Sequence, residues 1–120
     1  MTPADLPARV NGVAHLRRRA RVLNADVLVE IAPRTWLLRI RDGEIVAVTA
    51  DPLPMPSWTC ALRFDPAAWR DFLLPVPPPG RHDLMALVRT GQLALEGNLQ
   101  PLMAHLLWFK LAFQSLRAAA

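Results

Sequence analysis

The run Asp26-Val27-Leu28-Val29-Glu30-Ile31, the joint Ala32-Pro33-Arg34, and then Thr35-Trp36-Leu37-Leu38-Arg39-Ile40-Arg41-Asp42-Gly43-Glu44-Ile45-Val46-Ala47-Val48-Thr49 decide the fold. Successive side chains of a strand point to opposite faces. Val27, Val29 and Ile31 therefore share one face and Leu28 and Glu30 the other, while Trp36, Leu38 and Ile40 mirror the first set across the joint. The pattern is an antiparallel hairpin with one buried side. Asp42-Gly43 is a pair favoured by the two-residue type I′ turn, because both central residues need positive φ. Closing that turn sets Arg41 opposite Glu44 on the outer face and Ile40 opposite Ile45 on the inner one. A three-stranded meander is the result.

Before the meander, Pro7 to Leu23 reads as one helix, with Val10, Val13, Ala14, Leu16 and Ala20 as a thin apolar stripe and arginines crowding its end. Asn24 is the expected stop. After it, Asp51 to Ser57 carries three prolines and cannot donate a regular ladder, so it connects. Trp58 to Phe64 is a fourth strand, with Trp58, Cys60, Leu62 and Phe64 on one face and Thr59 and Arg63 on the other. Asp65-Pro66 then starts a helix: the carboxylate caps free amides, and proline at the first position gives up a bond that was never available. That helix runs through Trp69 and Phe72 to about Leu74. Pro75 to Gly80 is a stiff linker of four prolines, too short to separate two domains. His82 to Arg89 is a short helix with Leu84, Leu87 and Val88 inward and Gly91 at its end, and Leu93 to Glu96 is a short strand. Leu99 to Arg117 is the longest helix, apolar nearly all round.

The order predicts an α+β domain spanning residues 1–120, an antiparallel sheet covered on one face by helices. Glu30, Arg39, Arg41, Glu44, Arg63 and Glu96 belong to the wet face. At 120 residues the chain can bury a real core without metals or disulfides. Charged residues interrupt every apolar run before the roughly 20 residues that a bilayer crossing needs. Met1 to Arg21 has no apolar segment beside a small-residue cleavage site, so the expected location is the cytoplasm. Cys60 stands alone, and His15, His82 and His105 are scattered, so no metal or other cofactor is implied.

The net charge of +4 is nearly all arginine, Lys110 being the single lysine. A basic balance permits contact with nucleic acid or anionic lipid. Aromatic interleaving and a recognised nucleic-acid module are both lacking, which argues against nucleic acid. Abundant Ala, Arg and Pro also suit a GC-rich genome. The Arg17-Arg18-Arg19 run with Arg21 has two readings: a solvated helix end that complements the macrodipole, or a surface drawn to anionic head groups and hence peripheral to the inner membrane.

The residues from Asp42-Gly43, through Trp58-Thr59-Cys60-Ala61-Leu62-Arg63-Phe64 and Asp65 to Leu74, to Leu84-Met85-Ala86-Leu87-Val88-Arg89-Thr90-Gly91-Gln92-Leu93-Ala94-Leu95-Glu96-Gly97-Asn98 resemble the sterol-carrier-protein-2 family. That family has a strand, a short helix with a tryptophan, a second short helix, a glycine, a short strand and a Gly-Asp pair opening the last helix. Gly91 and Gly97 match, and Asn98 stands where Asp is usual, a mild departure because Asn caps a helix about as well. The Pro75 to Gly80 stretch also departs from the pattern. The resemblance covers about residues 25–117, with 7–23 as a preceding helix. It implies a five-stranded, mainly antiparallel sheet with helices on one side, a hydrophobic tunnel for sterols, acyl chains or similar lipids, and no catalytic residue.

Face and spacing, rather than the family motif, nominate the lining: Leu38, Ile40, Leu62, Phe72, Leu84, Leu87, Leu95, Leu102, Met103, Leu106 and Phe109. A filled core has the same periodicity as a tunnel wall, so each has a plain reading as packing. Trp108 and Phe113, if exposed beside Lys110, would offer a patch for a membrane or a second subunit. Ser57 and Ser115 lack a nucleophile-elbow motif, Cys60 falls on an apolar strand face, and His105 has no acid partner at recognisable spacing, so no enzyme is expected. Three functions are considered: a lipid carrier or presenter; an accessory factor, since Leu87 to Gln100 also resembles the sterol-carrier-like factors that hold isoprenoid intermediates in bacterial ubiquinone synthesis; and a structural or dimerisation module without a ligand.

Overall fold

A computed structural model describes residues 2–52 and 57–117. A 3-10 turn over Pro3–Asp5 leads into α1 (Leu6–Val10) and α2 (Ala14–Arg19). The meander follows as β1 (Ala25–Ile31), β2 (Arg34–Arg41) and β3 (Glu44–Ala50). Then come β4 (Cys60–Phe64), α3 (Pro66–Phe72), α4 (Leu84–Arg89), β5 (Leu93–Gly97), α5 (Gln100–Ala104) and α6 (Leu106–Gln114). The five strands lie in the order β3-β2-β1-β4-β5. All pairs are antiparallel except the central one, where β4 runs parallel to β1 with Val29 beside Leu62.

The meander has the expected register, with Arg41 opposite Glu44 and Ile40 opposite Ile45. Asp42 (φ 52) and Gly43 (φ 75) supply the positive dihedrals of its turn. Gly43 has a second reason to be glycine: a Cβ there would run into the Ala20 carbonyl. The Gly43 amide instead donates to the Leu23 carbonyl at 3.0 Å, tying the turn to the segment after α2. Asn11 does similar work at the open edge. Its side chain exchanges two hydrogen bonds with the Ile45 backbone, at 2.9 and 3.0 Å, as a neighbouring strand would.

The predicted caps form where their chemistry demands. Asp65 accepts from the Ala68 amide at 3.0 Å with Pro66 opening α3; Asn98 stands one residue before the cap position of α5, which is Leu99, and its side chain accepts from the Gln100 amide at 3.1 Å. Asp83 accepts from the amides of Met85 and Ala86, and so α4 begins at Leu84 and not at His82.

Four further expectations need correction. The helix expected over 7–23 is two short helices broken at Asn11–Val13, where Asn11 ends α1 and its side chain bonds β3. The long terminal helix is broken too: His105 takes φ −122 and ψ 32, which separates α5 from α6. Trp58 precedes β4 and packs on the outer face beside Leu28, Leu37 and Ala61, so the alternating pattern does not extend back to it. Trp108 and Phe113 are not at the surface. Both are buried, because α6 turns its aromatic side onto the sheet and α3.

The helices cover one sheet face. Val27, Val29, Leu38, Ile40, Ile45, Cys60, Leu62, Phe64 and Leu93 meet Leu6, Leu16, Trp69, Phe72, Leu84, Leu87, Phe109 and Phe113 in one cluster. Within it Phe64, Trp69, Phe72 and Phe113 form an aromatic group with ring centroids 4.8 to 6.1 Å apart. Such pairs contribute about 0.5–1.5 kcal/mol beyond the area they bury. The opposite face is charged around the small Leu28, Leu37, Ala61 and Trp58 cluster, with Arg63 between Glu30 (3.1 Å) and Glu96 (3.2 Å) and Asp26 between Arg39 and Arg41. Exposed pairs of this kind are worth about 0–1 kcal/mol each, so they mark the outer side more than they hold the fold.

Candidate functional site

The nominated lining converges on the covered face. Leu38 and Ile40 of β2, Leu62 of β4, Phe72 at the end of α3, Leu84 and Leu87 of α4, Leu102 of α5 and Phe109 of α6 are all buried in the one cluster. Leu95 of β5 is partly buried against it, opposite Leu62. Met103 lies outside the cluster at 46% exposure, because a step of one residue turns it about 100° round α5 from buried Leu102. Leu106 is half-buried at the rim of a surface cleft.

Among the described residues, no polar or charged residue is buried in this interior. Cys60 sits on its floor beside Val27, and burial pushes its thiol up to about 11, so it stays protonated and inert at neutral pH. No group of three or more His, Cys, Asp or Glu among the described residues is placed to hold a metal ion. The Ser115 hydroxyl is spent on the Ala112 carbonyl at 2.5 Å. The chemistry available inside is dispersion and the exclusion of water.

Polarity is confined to the rim. A cleft of about 320 Å³ is lined by Ala14, Arg17, Arg18, Arg21 and Asp42. A second of about 250 Å³ is lined by Arg19, Ala104, His105, Leu106, Leu107 and Trp108, so the arginine turn of α2 borders both. The Trp108 ring packs edge-on against Phe109 at 4.9 Å, and its buried indole Nε1 has no hydrogen-bond partner. A buried N–H left unbonded costs about 1–3 kcal/mol. On the far side of α6, Lys110 lies 3.9 Å from Asp83. Burial raises the Asp83 carboxyl, but the amides of Ala86 and Met85, with Lys110 and His82, more than offset it and hold the group below the usual aspartate value.

Sequence reasoning missed Arg19 and Trp108 as neighbours. The arginines read as a helix end and the tryptophan as an exposed aromatic, and nothing in either spacing says that α2 lies beside the start of α6.

No protein-family model and no curated protein sequence matches the chain. Solved structures do. It is similar to a sterol carrier protein 2, with a TM-score of 0.74 at 16% identity over 96% of this chain and 92% of that one. It is also similar to a UbiJ-SCP2 ubiquinone synthesis protein (0.59, 17%, 89% and 88%) and to the sterol carrier protein domain 2 of Helicoverpa armigera (0.57, 16%, 100% and 97%). The resemblance read from the sequence is borne out at the level of architecture: the chain has the sterol-carrier-protein-2 fold, a five-stranded mixed sheet with helices on one face.

Proposed function

We propose that this protein binds one apolar lipid between its sheet and its helical layer and carries or presents it without catalysing a reaction. The observation that carries the reading is the composition of the covered face: two packed layers with no buried polar residue among the described ones. Specific small-molecule recognition would need polar groups inside, whereas an acyl or isoprenoid chain needs only apolar walls and gains about 0.8 kcal/mol per buried methylene. The layer that must part to admit it consists of helices of only five to nine residues. Leu38, Leu62, Leu87, Leu102 and Phe109 would then line the tail.

The fold neighbours support the lipid class and favour a second reading, an accessory role in isoprenoid quinone synthesis, since one of them is a ubiquinone synthesis protein. A carrier must also reach a bilayer. Arg18 and Arg21, without a carboxylate partner among the described residues, and Val22, 74% exposed, give α2 and its end the basic and apolar mix that suits contact with an anionic surface.

Native mass spectrometry of the gently purified protein tests the reading. We expect a co-purified acyl or polyprenyl species, lost in a folded Leu106→Arg variant. A folded protein that takes up neither long-chain acids, alcohols nor polyprenols, and that dimerises through α5 and α6, would leave only the structural-module reading. Co-purification with biosynthetic enzymes would separate accessory factor from general carrier.

A further inference from the structure

The sheet has two outer strands, and only one of them is covered. Along β3, α1 packs against the strand and the Asn11 side chain bonds the Ile45 backbone. Along β5 nothing comparable occurs among the described residues. The Asp65 amide donates to the Gln92 carbonyl oxygen and the Asn98 amide to the Thr59 carbonyl oxygen, which makes Ala94 with Arg63, and Glu96 with Ala61, the hydrogen-bonded pairs between β5 and β4. Leu93 and Leu95 therefore turn their N–H and C=O groups outward, where none of them has a partner among the described residues. No lysine, proline or bulge interrupts this edge between residues 91 and 97, and its one charged side chain, Glu96, is engaged by Arg63 at 3.2 Å.

The sequence of that edge matches itself. Gly91-Gln92-Leu93-Ala94-Leu95-Glu96-Gly97 reads nearly the same in both directions, with Gln92 and Glu96 as counterparts of equal size. Its ends match in conformation too, since both glycines have positive φ, 76 and 85. A two-fold axis through Ala94 sets Ala94 against Ala94, Leu93 against Leu95 and Gln92 against Glu96 of a second copy. In that register the outward groups of Leu93 and Leu95 meet as hydrogen-bonded pairs, giving about four backbone bonds. The two alanines fall at the close, non-hydrogen-bonded position, where Cα atoms lie about 4.5 Å apart and small side chains fit. Each Glu96 faces a neutral amide and not the other carboxylate. Gln92 Oε1 already accepts from the Thr90 hydroxyl at 3.3 Å, which leaves its NH2 to donate to that Glu96. We propose that β5 is the seam of a homodimer in which two sheets join antiparallel into one. The axis is normal to the sheet, so both helical layers come to lie on the same side. The seam is short against the roughly 1,200 Å² of stable interfaces, so the dimer is reversible, with a Kd on the order of 100 μM. The pairing does not depend on what the interior binds.

The test is sedimentation equilibrium of the full chain between about 10 μM and 1 mM, with amide hydrogen exchange measured at both ends of that range. The mass should rise toward twice that of the monomer, and exchange at Leu93 and Leu95 should slow as the protein is concentrated. Ala94→Lys, at an exposed position, brings two ammonium groups face to face and should weaken the dimer about fivefold or more. Gln92→Glu sets a carboxylate opposite each Glu96 and should weaken it about fivefold, whereas Gln92→Lys sets a cation there and should tighten it by a similar factor. Such a reversal of sign at one position is not produced by a change in the stability of the monomer. A chain that stays monomeric at about 1 mM overturns the proposal. So does a dimer indifferent to charge at positions 92 and 94, which joins through another surface. Leu93 and Leu95 amides equally protected at every concentration would mean that the edge is closed within one chain, and overturn it as well.

Discussion

The guanidinium of Arg117 lies over the ring of Phe72, 4.9 Å from its centroid, and its Nε donates to the Phe72 carbonyl oxygen at 2.9 Å. A second nitrogen donates to the His82 carbonyl oxygen at 2.9 Å. One side chain thus joins the segment after α6 to the end of α3 and to the start of the α4 turn, across the proline-rich linker. Burial draws its pKa down without threatening its charge.

Arg117→Ala should therefore lower stability by about 2 kcal/mol, the worth of charge-assisted hydrogen bonds plus a cation–π contact, measured by urea denaturation. Arg117→Lys should recover only part, because an ammonium cannot present a fork to two carbonyls. A change below about 0.5 kcal/mol for the alanine variant would show these bonds to be idle.

Asp83 gives the protein an acid limb in its stability profile. Its carboxyl is held below the unfolded value, so its contribution is fully present above the ordinary aspartate pKa of about 3.9 and is lost as pH falls through the lower folded pKa. Asp83→Ala should cost about 1 kcal/mol at neutral pH, and that difference should shrink as acid is added. Stability curves for the two proteins that stay parallel down to about pH 2 would contradict this.

Gly97, like Gly43, is closed to a side chain. Its φ is +85°, and a Cβ would lie 2.7 Å from both the Thr59 carbonyl oxygen and the Trp58 ring. Gly97→Ala should destabilise by about 3 kcal/mol or more, combining backbone strain with displacement of strand β4. Gly12, where a methyl group would meet nothing within 4 Å, is the control: Gly12→Ala should be neutral or slightly stabilising in the same thermal melts.

Cys60 should resist alkylation. With a thiol at about 11 and no exposed surface, iodoacetamide at pH 8 should modify the folded protein at least about a thousandfold more slowly than the unfolded chain. Rapid labelling without unfolding would mean that the helical layer opens far more readily than its packing implies.

Local chemistry made much of this architecture readable. Asp42-Gly43 and Asp65-Pro66 each act within three residues of themselves, and each does in space what its spacing requires. The alternation that nominated Leu38, Ile40 and Leu62 also identified the covered face, because strand periodicity reports burial directly. Where the outcome depended on partners far along the chain, the pattern was silent. The Asn11 side chain at the end of α1 finds its partner on an edge 34 residues away, and the apolar run through His105 hides a break that side-chain periodicity does not encode. The Arg19 cleft was illegible for the same reason, being made by two segments that meet only after folding.

The parallel pairing of β1 with β4 carries a consequence for biogenesis. As the chain leaves the ribosome, β1, β2 and β3 can close at once through tight turns, but the other flank of β1 keeps its amides and carbonyls bare until residues 60–64 arrive. During that interval the nascent sheet offers a sticky ribbon to any extended peptide nearby. A fragment ending near residue 52 should accordingly self-associate through that flank, whereas the full chain, in which β4 and then β5 cover it, should not.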